Sequence, residues 1–170
     1  MALPLVNGIM LHGVGVEKEG IGHLFLGLSG CGKSTVARFS PGAGLISDDG
    51  IIVQKDGPDY TLAPAPIDQS SSYRGDRMRN FLKRTRLSLG FLLEKDTRVY
   101  LDRVLPSDAC SIILKNHIHY FRHFPPESAE KTFSLISGLC RRVPFYRLHF
   151  RNDPSFWSSI EEEVRGPTSG

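Results

Sequence analysis

Residues Gly27–Thr35 read GLSGCGKST, between the apolar GHLFL of Gly22–Leu26 and the VARFS of Val36–Ser40. Gly27, Gly32, Lys33 and Ser34 satisfy the pattern Gly-x-x-x-x-Gly-Lys-[Ser/Thr] in full. Glycines let the backbone curl until successive N–H groups converge on an anion, and a helix starting there adds its positive end. Lys33 supplies a mobile charge for the β- and γ-phosphates, and Ser34 a hydroxyl for Mg²⁺. Ser29, Gly30, Cys31 and Thr35 complete the nucleotide-contacting loop, Cys31 as a small side chain. A strand, a phosphate loop and a helix in this order predict an α/β domain that binds a nucleoside triphosphate. Which reaction follows is not written in the loop.

Working outward, Ile9–Val16 (IMLHGVGV) and Ile21–Leu26 (IGHLFL) flank a turn at Glu17–Gly20 and predict a hairpin. Lys33–Phe39 reads as a short helix stopped by Pro41–Gly42. Gly44–Ser47 (GLIS) is a short strand that ends on Asp48 and Asp49, 15 residues after Lys33. A phosphate loop needs a carboxylate at the end of a neighbouring strand to hold its metal, and Asp48 is placed for that. Neighbouring side chains on a strand end point different ways, so the second carboxylate, Asp49, can face an incoming nucleophile. GIIVQ and YTLA around KDGPD form another hairpin signal.

Beyond it, Ala63–Gly75 reads as loop and Asp76–Arg86 as a basic helix with Met78, Phe81 and Leu82 inward. LSLGFLLE alternates as a strand with Leu87, Leu89, Phe91 and Leu93 on one face. VYLDRV is a second strand, and Ser107 or Asp108 caps a helix with Ala109, Ile112 and Ile113 inward. A helix from about Ser128 carries the stripe Ala129, Phe133, Ile136 and Cys140. PFYRLHF is a strand, and Asp153–Pro154 opens a last helix with Phe156, Trp157 and Ile160 in the core. The expected organisation is one domain over residues 1–164 and a loose tail over 165–170.

The bulk numbers fit this reading. A chain of 170 residues with 40% hydrophobic and 23% charged content can bury one core. A net charge of +3 is too mild to argue for nucleic-acid binding. No apolar run approaches the roughly 18 residues of a membrane span, and MALPLVNGIMLHG lacks the basic start of a secretion signal. Three cysteines (Cys31, Cys110 and Cys140), with no Cys-x-x-Cys pair, argue against a disulfide or zinc framework. A cytoplasmic protein is expected, with association into homo-oligomers left open.

The run from Leu11 to Phe39, LHGVGVEKEGIGHLFLGLSGCGKSTVARF, followed by Gly44–Val53, GLISDDGIIV, resembles the catalytic domain of the bacterial HPr kinase/phosphorylase family. There a His-Gly strand, a hairpin, the phosphate loop and a strand ending in Asp-Asp follow in this order. ATP-using phosphoenolpyruvate carboxykinases have a related nucleotide core. The later segments LSLGFLLE, YLDRVLPSDA and VPFYRLHF resemble short kinase-like members of peptide-tailoring gene clusters. The resemblance implies a mixed sheet with hairpins, flanked by helices, and phosphoryl transfer from Mg·ATP to a hydroxyl of a protein or peptide, serine above all. It implies that Lys33 and the loop amides hold phosphate and that Ser34 and Asp48 handle Mg²⁺. Asp49 becomes the general base, supported by His12. The family's glycine-rich signature, with its further acidic contact, has no counterpart here; Asp68 is the one acid in the corresponding Ala63–Gly75.

Three further features carry weaker signals. Arg74, Arg77, Arg79, Lys83, Arg84 and Arg86 suit a solvated helix face or the steering of an acidic peptide. His117, His119 and His123 are expected at the surface, without carboxylates spaced to make a metal site. A small-molecule kinase and a non-catalytic nucleotide-binding module remain as alternatives, separable by whether Asp49→Asn abolishes transfer while nucleotide still binds.

Overall fold

Two eleven-residue strands, β1 (Gly8–Lys18) and β6 (Thr85–Lys95), organise a mixed sheet. A computed structural model describes residues 7–40, 44–65, 84–118 and 125–165. β1 turns through Glu19 and Gly20, both at positive φ (53° and 78°), the geometry of a tight two-residue hairpin. β2 (Ile21–Leu26) returns antiparallel to it, with Lys18 opposite Ile21 and Gly13 opposite Leu26. β2 then lies parallel to β6, β6 parallel to β8 (Phe145–Phe150), and β7 (Tyr100–Val104) antiparallel to β8. β2, β6 and β8 therefore end at one edge, where ligands of open α/β sheets bind.

The other flank of β1 has two partners in succession. β3 (Gly44–Ser47) pairs with Gly15–Glu17, and β4 (Gly50–Asp56) pairs with Gly8–His12. β5 (Asp59–Pro64) forms the expected hairpin with β4 and reaches the start of β6 through Thr61 and Leu62. The strands β1, β4, β5, β6 and β2 thus close on one another.

Helices cover both faces. α1 (Lys33–Arg38) and α4 (Phe156–Arg165) place Val36, Phe156, Trp157 and Ile160 in one apolar cluster with Val14, Val16, Phe25, Phe91 and Phe150. α2 (Pro106–Asn116) and α3 (Pro126–Arg142) place Ala109, Ile113, Ile136 and Leu139 in a second, against Ile9, Leu11, Leu24 and Leu26. Among the described residues no helix is long and apolar enough to cross a membrane.

The structure corrects the sequence reading in several places. β6 starts at Thr85, so Arg84–Arg86 do not continue a helix; Asp76–Lys83 lie outside the described residues. Leu87, Leu89, Phe91 and Leu93 do not share a face. Gly22 pairs with Leu87 but His23 with Leu89, leaving Ser88 as a bulge, and Leu87 joins the cluster of Leu24 while the other three join that of Phe25. α2 takes Leu105 as its N-cap and Pro106 in its first turn, without a side-chain cap from Ser107 or Asp108. The buried stripe of α3 runs through Thr132, Leu135, Ile136, Leu139 and Cys140, leaving Phe133 52% exposed. α4 follows a turn at Pro154–Ser155 and extends to Arg165, the first residue of the expected tail.

Candidate functional site

The glycine loop leaves β2 at the shared carboxyl edge. Gly30 and Gly32 take positive φ (79° and 110°), which lets the chain reverse within a few residues. The Cys31 N–H donates to the Leu28 carbonyl at 3.2 Å and the Val36 N–H to the Gly32 carbonyl at 3.1 Å, closing the loop onto α1. Cys31 Sγ packs where a side chain on Gly27 would stand, so this cysteine fills space against the loop's first residue. Lys33 Nζ donates to the carbonyls of Gly27 (2.7 Å) and Leu28 (3.2 Å), which draws the ammonium across the loop mouth. Ser29 and Ser34 are exposed there. Thr35 turns away: its hydroxyl donates to Asn152 Oδ1 at 3.2 Å, and Arg38 donates to the same oxygen at 2.8 Å. Asn152 so ties α1 to the segment after β8. Beside it, Asp153 accepts from the Ser155 hydroxyl and N–H and lies against Arg151; these contacts hold its carboxyl below the usual range.

The acidic side of the site comes from the break between β3 and β4. Where β1 exchanges one partner for the other, Asp48 and Asp49 occupy the gap, and the Gly13 N–H donates to the Asp49 carbonyl at 3.1 Å. Leu26, the last residue of β2, faces the same Gly13 from the other side. One residue of β1 therefore separates the start of the glycine loop from the aspartates. His12, its neighbour, lies with Nδ1 3.1 Å from Asp49 Oδ1. The Asp49 side chain is 60% exposed and that of His12 31%, so the pair meets solvent and any incoming group. Asp48 is more enclosed, and its Oδ1 is buried with no hydrogen-bond partner among the described residues. A buried carboxylate oxygen without a donor is costly. A cation is the kind of partner that would satisfy it.

His117 contradicts its surface assignment. It is 2% exposed, its carbonyl accepts from the His12 N–H at 3.2 Å, and its Nδ1 lies 3.4 Å from the His12 carbonyl. The C-terminal end of α2 thereby clamps β1 at the residue that faces Asp49. Sequence reasoning missed this role, as it missed Asn152, since neither has a motif or a period and both act across more than 100 residues. His119, His123, Asp68, Arg74, Arg77, Arg79 and Lys83 lie outside the described residues. Among the described residues no group of three or more acidic, histidine or cysteine side chains is arranged to hold a metal ion.

No protein-family model matches the chain, and no curated protein matches its sequence. Among solved structures, the Hpr(Ser) kinase/phosphatase from Coxiella burnetii is similar at 13% identity and a TM-score of 0.50, over 92% of this chain and 99% of that one. The chain has the mixed α/β fold of that kinase/phosphatase.

Proposed function

We propose that the protein transfers the γ-phosphoryl group of ATP, with Mg²⁺, to a serine hydroxyl of a protein or peptide. The observation that carries this reading is the His12–Asp49 pair, 3.1 Å apart, set one strand residue from a glycine loop that has the full phosphate-binding pattern. The fold likeness to an Hpr(Ser) kinase/phosphatase supports it.

The roles follow from position. The loop amides hold the β-phosphate, and Lys33 leaves the Gly27 and Leu28 carbonyls to meet the β- and γ-oxygens. Ser34 and Asp48 hold Mg²⁺, which when bound neutralises charge on the phosphates. Asp49 accepts the hydroxyl proton as the acceptor oxygen bonds to the γ-phosphorus, and the bond to the bridging oxygen of ADP breaks. His12 donates from Nδ1 to Asp49 and keeps the carboxylate aimed. His117 holds the β1 backbone beneath it. Positioning and charge neutralisation supply most of the catalysis in such transfers.

Incubating the protein with Mg²⁺, labelled ATP and an extract of its own organism tests the reading. A labelled protein or peptide is expected, bearing phosphoserine, and Asp49→Asn should lose that label by at least about 10²-fold, the contribution of a general base, while still binding nucleotide. Transfer at the parent rate by Asp49→Asn would refute the assigned base, and a labelled small metabolite would refute the acceptor class.

A further inference from the structure

We infer that Asn152 is a positioning residue for phosphoryl transfer: its carboxamide oxygen, taking Thr35 and Arg38 as donors, fixes the helix that carries Lys33 and Ser34. This rests on the reading of the glycine loop as a triphosphate site. Asn152 lies after β8 and outside the loop pattern. α1 cannot place itself. It has six residues, well under the length at which a helix holds alone, and Gly32 at its N-cap offers no side-chain bond. Val36 is its one buried residue. Its position is therefore set from outside, and the segment from Phe150 to Trp157 meets it at three levels. The Phe150 ring packs where a side chain on Gly32 would stand, Asn152 meets the middle, and the Trp157 indole N–H donates to the Phe39 carbonyl at 2.9 Å. Of the three, Asn152 is the one bonded to the neighbour of Ser34.

Donor chemistry fixes how the amide is used. A guanidinium has donors and no acceptor, so the Asn152 atom 2.8 Å from Arg38 is the carbonyl oxygen. That oxygen has a second lone pair, and the Thr35 hydroxyl donates to it at 3.2 Å. Thr35 and Arg38 stand three apart on one helix face, so a single acceptor holds both. The Arg38 bond is charge-assisted, and the guanidinium also lies over the Phe39 ring, 4.5 Å from its centroid. Asn152 is carried on a bonded turn. The Asp153 N–H donates to the Arg151 carbonyl at 2.8 Å, and the Asp153 carboxylate accepts the Ser155 N–H at 2.9 Å. Thr35, expected from the sequence to contact nucleotide, commits its hydroxyl to this bond instead. A shift of α1 would move the Lys33 ammonium and the Ser34 hydroxyl together, and small misplacements of such groups cost transfer heavily.

Calorimetric titration with Mg·ATP reads the placement of the loop, and urea unfolding reads the fold. Asn152→Ala should weaken Mg·ATP by about tenfold, the worth of two modest hydrogen bonds. Its unfolding free energy should stay close to the parent's, because the residue is exposed. Asn152→Asp keeps acceptor oxygens for both donors and should bind within about twofold of the parent. Thr35→Val removes the hydroxyl alone and should weaken Mg·ATP by about threefold. Added to Asn152→Ala it should weaken binding no further, since both act through one bond. In the labelling assay, Asn152→Ala should stay about tenfold slow at saturating Mg·ATP. A protein that was merely less stable would recover there, because bound nucleotide shifts it to the folded state. Mg·ATP affinity of Asn152→Ala within twofold of the parent's would overturn the inference, as would Asn152→Asp binding no better than Asn152→Ala. Additive losses in the double variant would overturn it too and return the Thr35 hydroxyl to the nucleotide. Failure of the parent to bind Mg·ATP would instead overturn the loop reading itself.

Discussion

Replacing Gly32 with alanine measures how closely the glycine loop is fitted to the sheet below it. Gly32 has φ 110°, and a Cβ there would stand 2.5 Å from Cζ of Phe150, with two more ring atoms at 3.3 and 3.5 Å. Phe150 has little room to retreat: it is 1% exposed and its ring meets Phe156 edge-on at 5.8 Å. Two costs therefore add. A side chain at positive φ costs about 1–2 kcal/mol, and forcing a methyl group into packed space costs about 1–3 kcal/mol. Their sum is about 2–5 kcal/mol. Gly30 isolates the first term, because its φ is 79° and nothing lies within 4 Å of its Cβ position. Gly30→Ala should then cost about 1–2 kcal/mol. At about 2–4 °C per kcal/mol for a domain of this size, the two variants should melt several degrees apart. Urea unfolding followed by the fluorescence of Trp157, the single tryptophan, gives both free energies. Phe150→Leu supplies the second arm: it should cost less in Gly32→Ala than in the parent, since the smaller side chain relieves the clash. Equal costs for Gly32→Ala and Gly30→Ala, or strict additivity with Phe150→Leu, would refute the argument.

Two other perturbations read the core directly. Burial pushes His23 from 6.5 down to about 4, against the opposing pull of backbone groups at Ile21 and Val16. Folded His23 stays neutral while the unfolded chain takes a proton below pH 6.5, so stability is lost as pH falls from about 6.5 to about 4, by about 3 kcal/mol in all. His23→Phe keeps a ring against Phe25, Phe91 and Trp157 and should flatten that part of the profile; parallel acid losses in parent and variant would count against His23 as the cause. On α3, Ile136→Ala removes a fully buried side chain and should cost about 2–5 kcal/mol. Phe133→Ala, one turn away on the exposed face, should stay within about 0.5 kcal/mol in the same denaturation assay.

The contrast between Ile136 and Phe133 also shows what a pattern of residues can and cannot disclose. Period 3.6 identified α3 as a helix with an apolar face, but the stripe expected from it, Ala129–Phe133–Ile136–Cys140, differs from the buried one, Thr132–Leu135–Leu139 with Ile136 and Cys140. Both include strong hydrophobes. The choice was made by the floor that α3 covers, where Tyr60 Oη, 3.4 Å from the Leu135 carbonyl, stands beside Gly138. That floor is built by β5, distant in sequence. Similarly, alternation placed β6 correctly but could not show the bulge at Ser88, because a bulge belongs to a pair of strands and only one strand was being read. The hairpins β1–β2 and β4–β5 were legible for the opposite reason: their partners are adjacent and their turns carry Glu-Gly and Asp-Gly.

At the site the same division holds. The glycine loop is a local object, and nine consecutive residues announced it. His12 and Asp49 are 37 residues apart, and nothing in either residue alone brings them together. What does so is the length of β1. Eleven residues are too many for either β3, with four, or β4, with seven, so both lie along the same flank of one strand and the chain must cross between them. That crossing is Asp48–Asp49, and it falls opposite Gly13, beside His12. The aspartates are thus placed by backbone pairing on both sides of the gap, and the Asp49 carboxylate, bonded to His12, is 60% exposed. An exposed carboxylate in such a pair can be replaced by its amide with little structural cost. Asp49→Asn should therefore unfold within about 0.5 kcal/mol of the parent, as surface substitutions do, so that any loss of transfer it causes belongs to the chemistry. A large loss of stability in Asp49→Asn would instead make the aspartate a structural element of the β3–β4 junction.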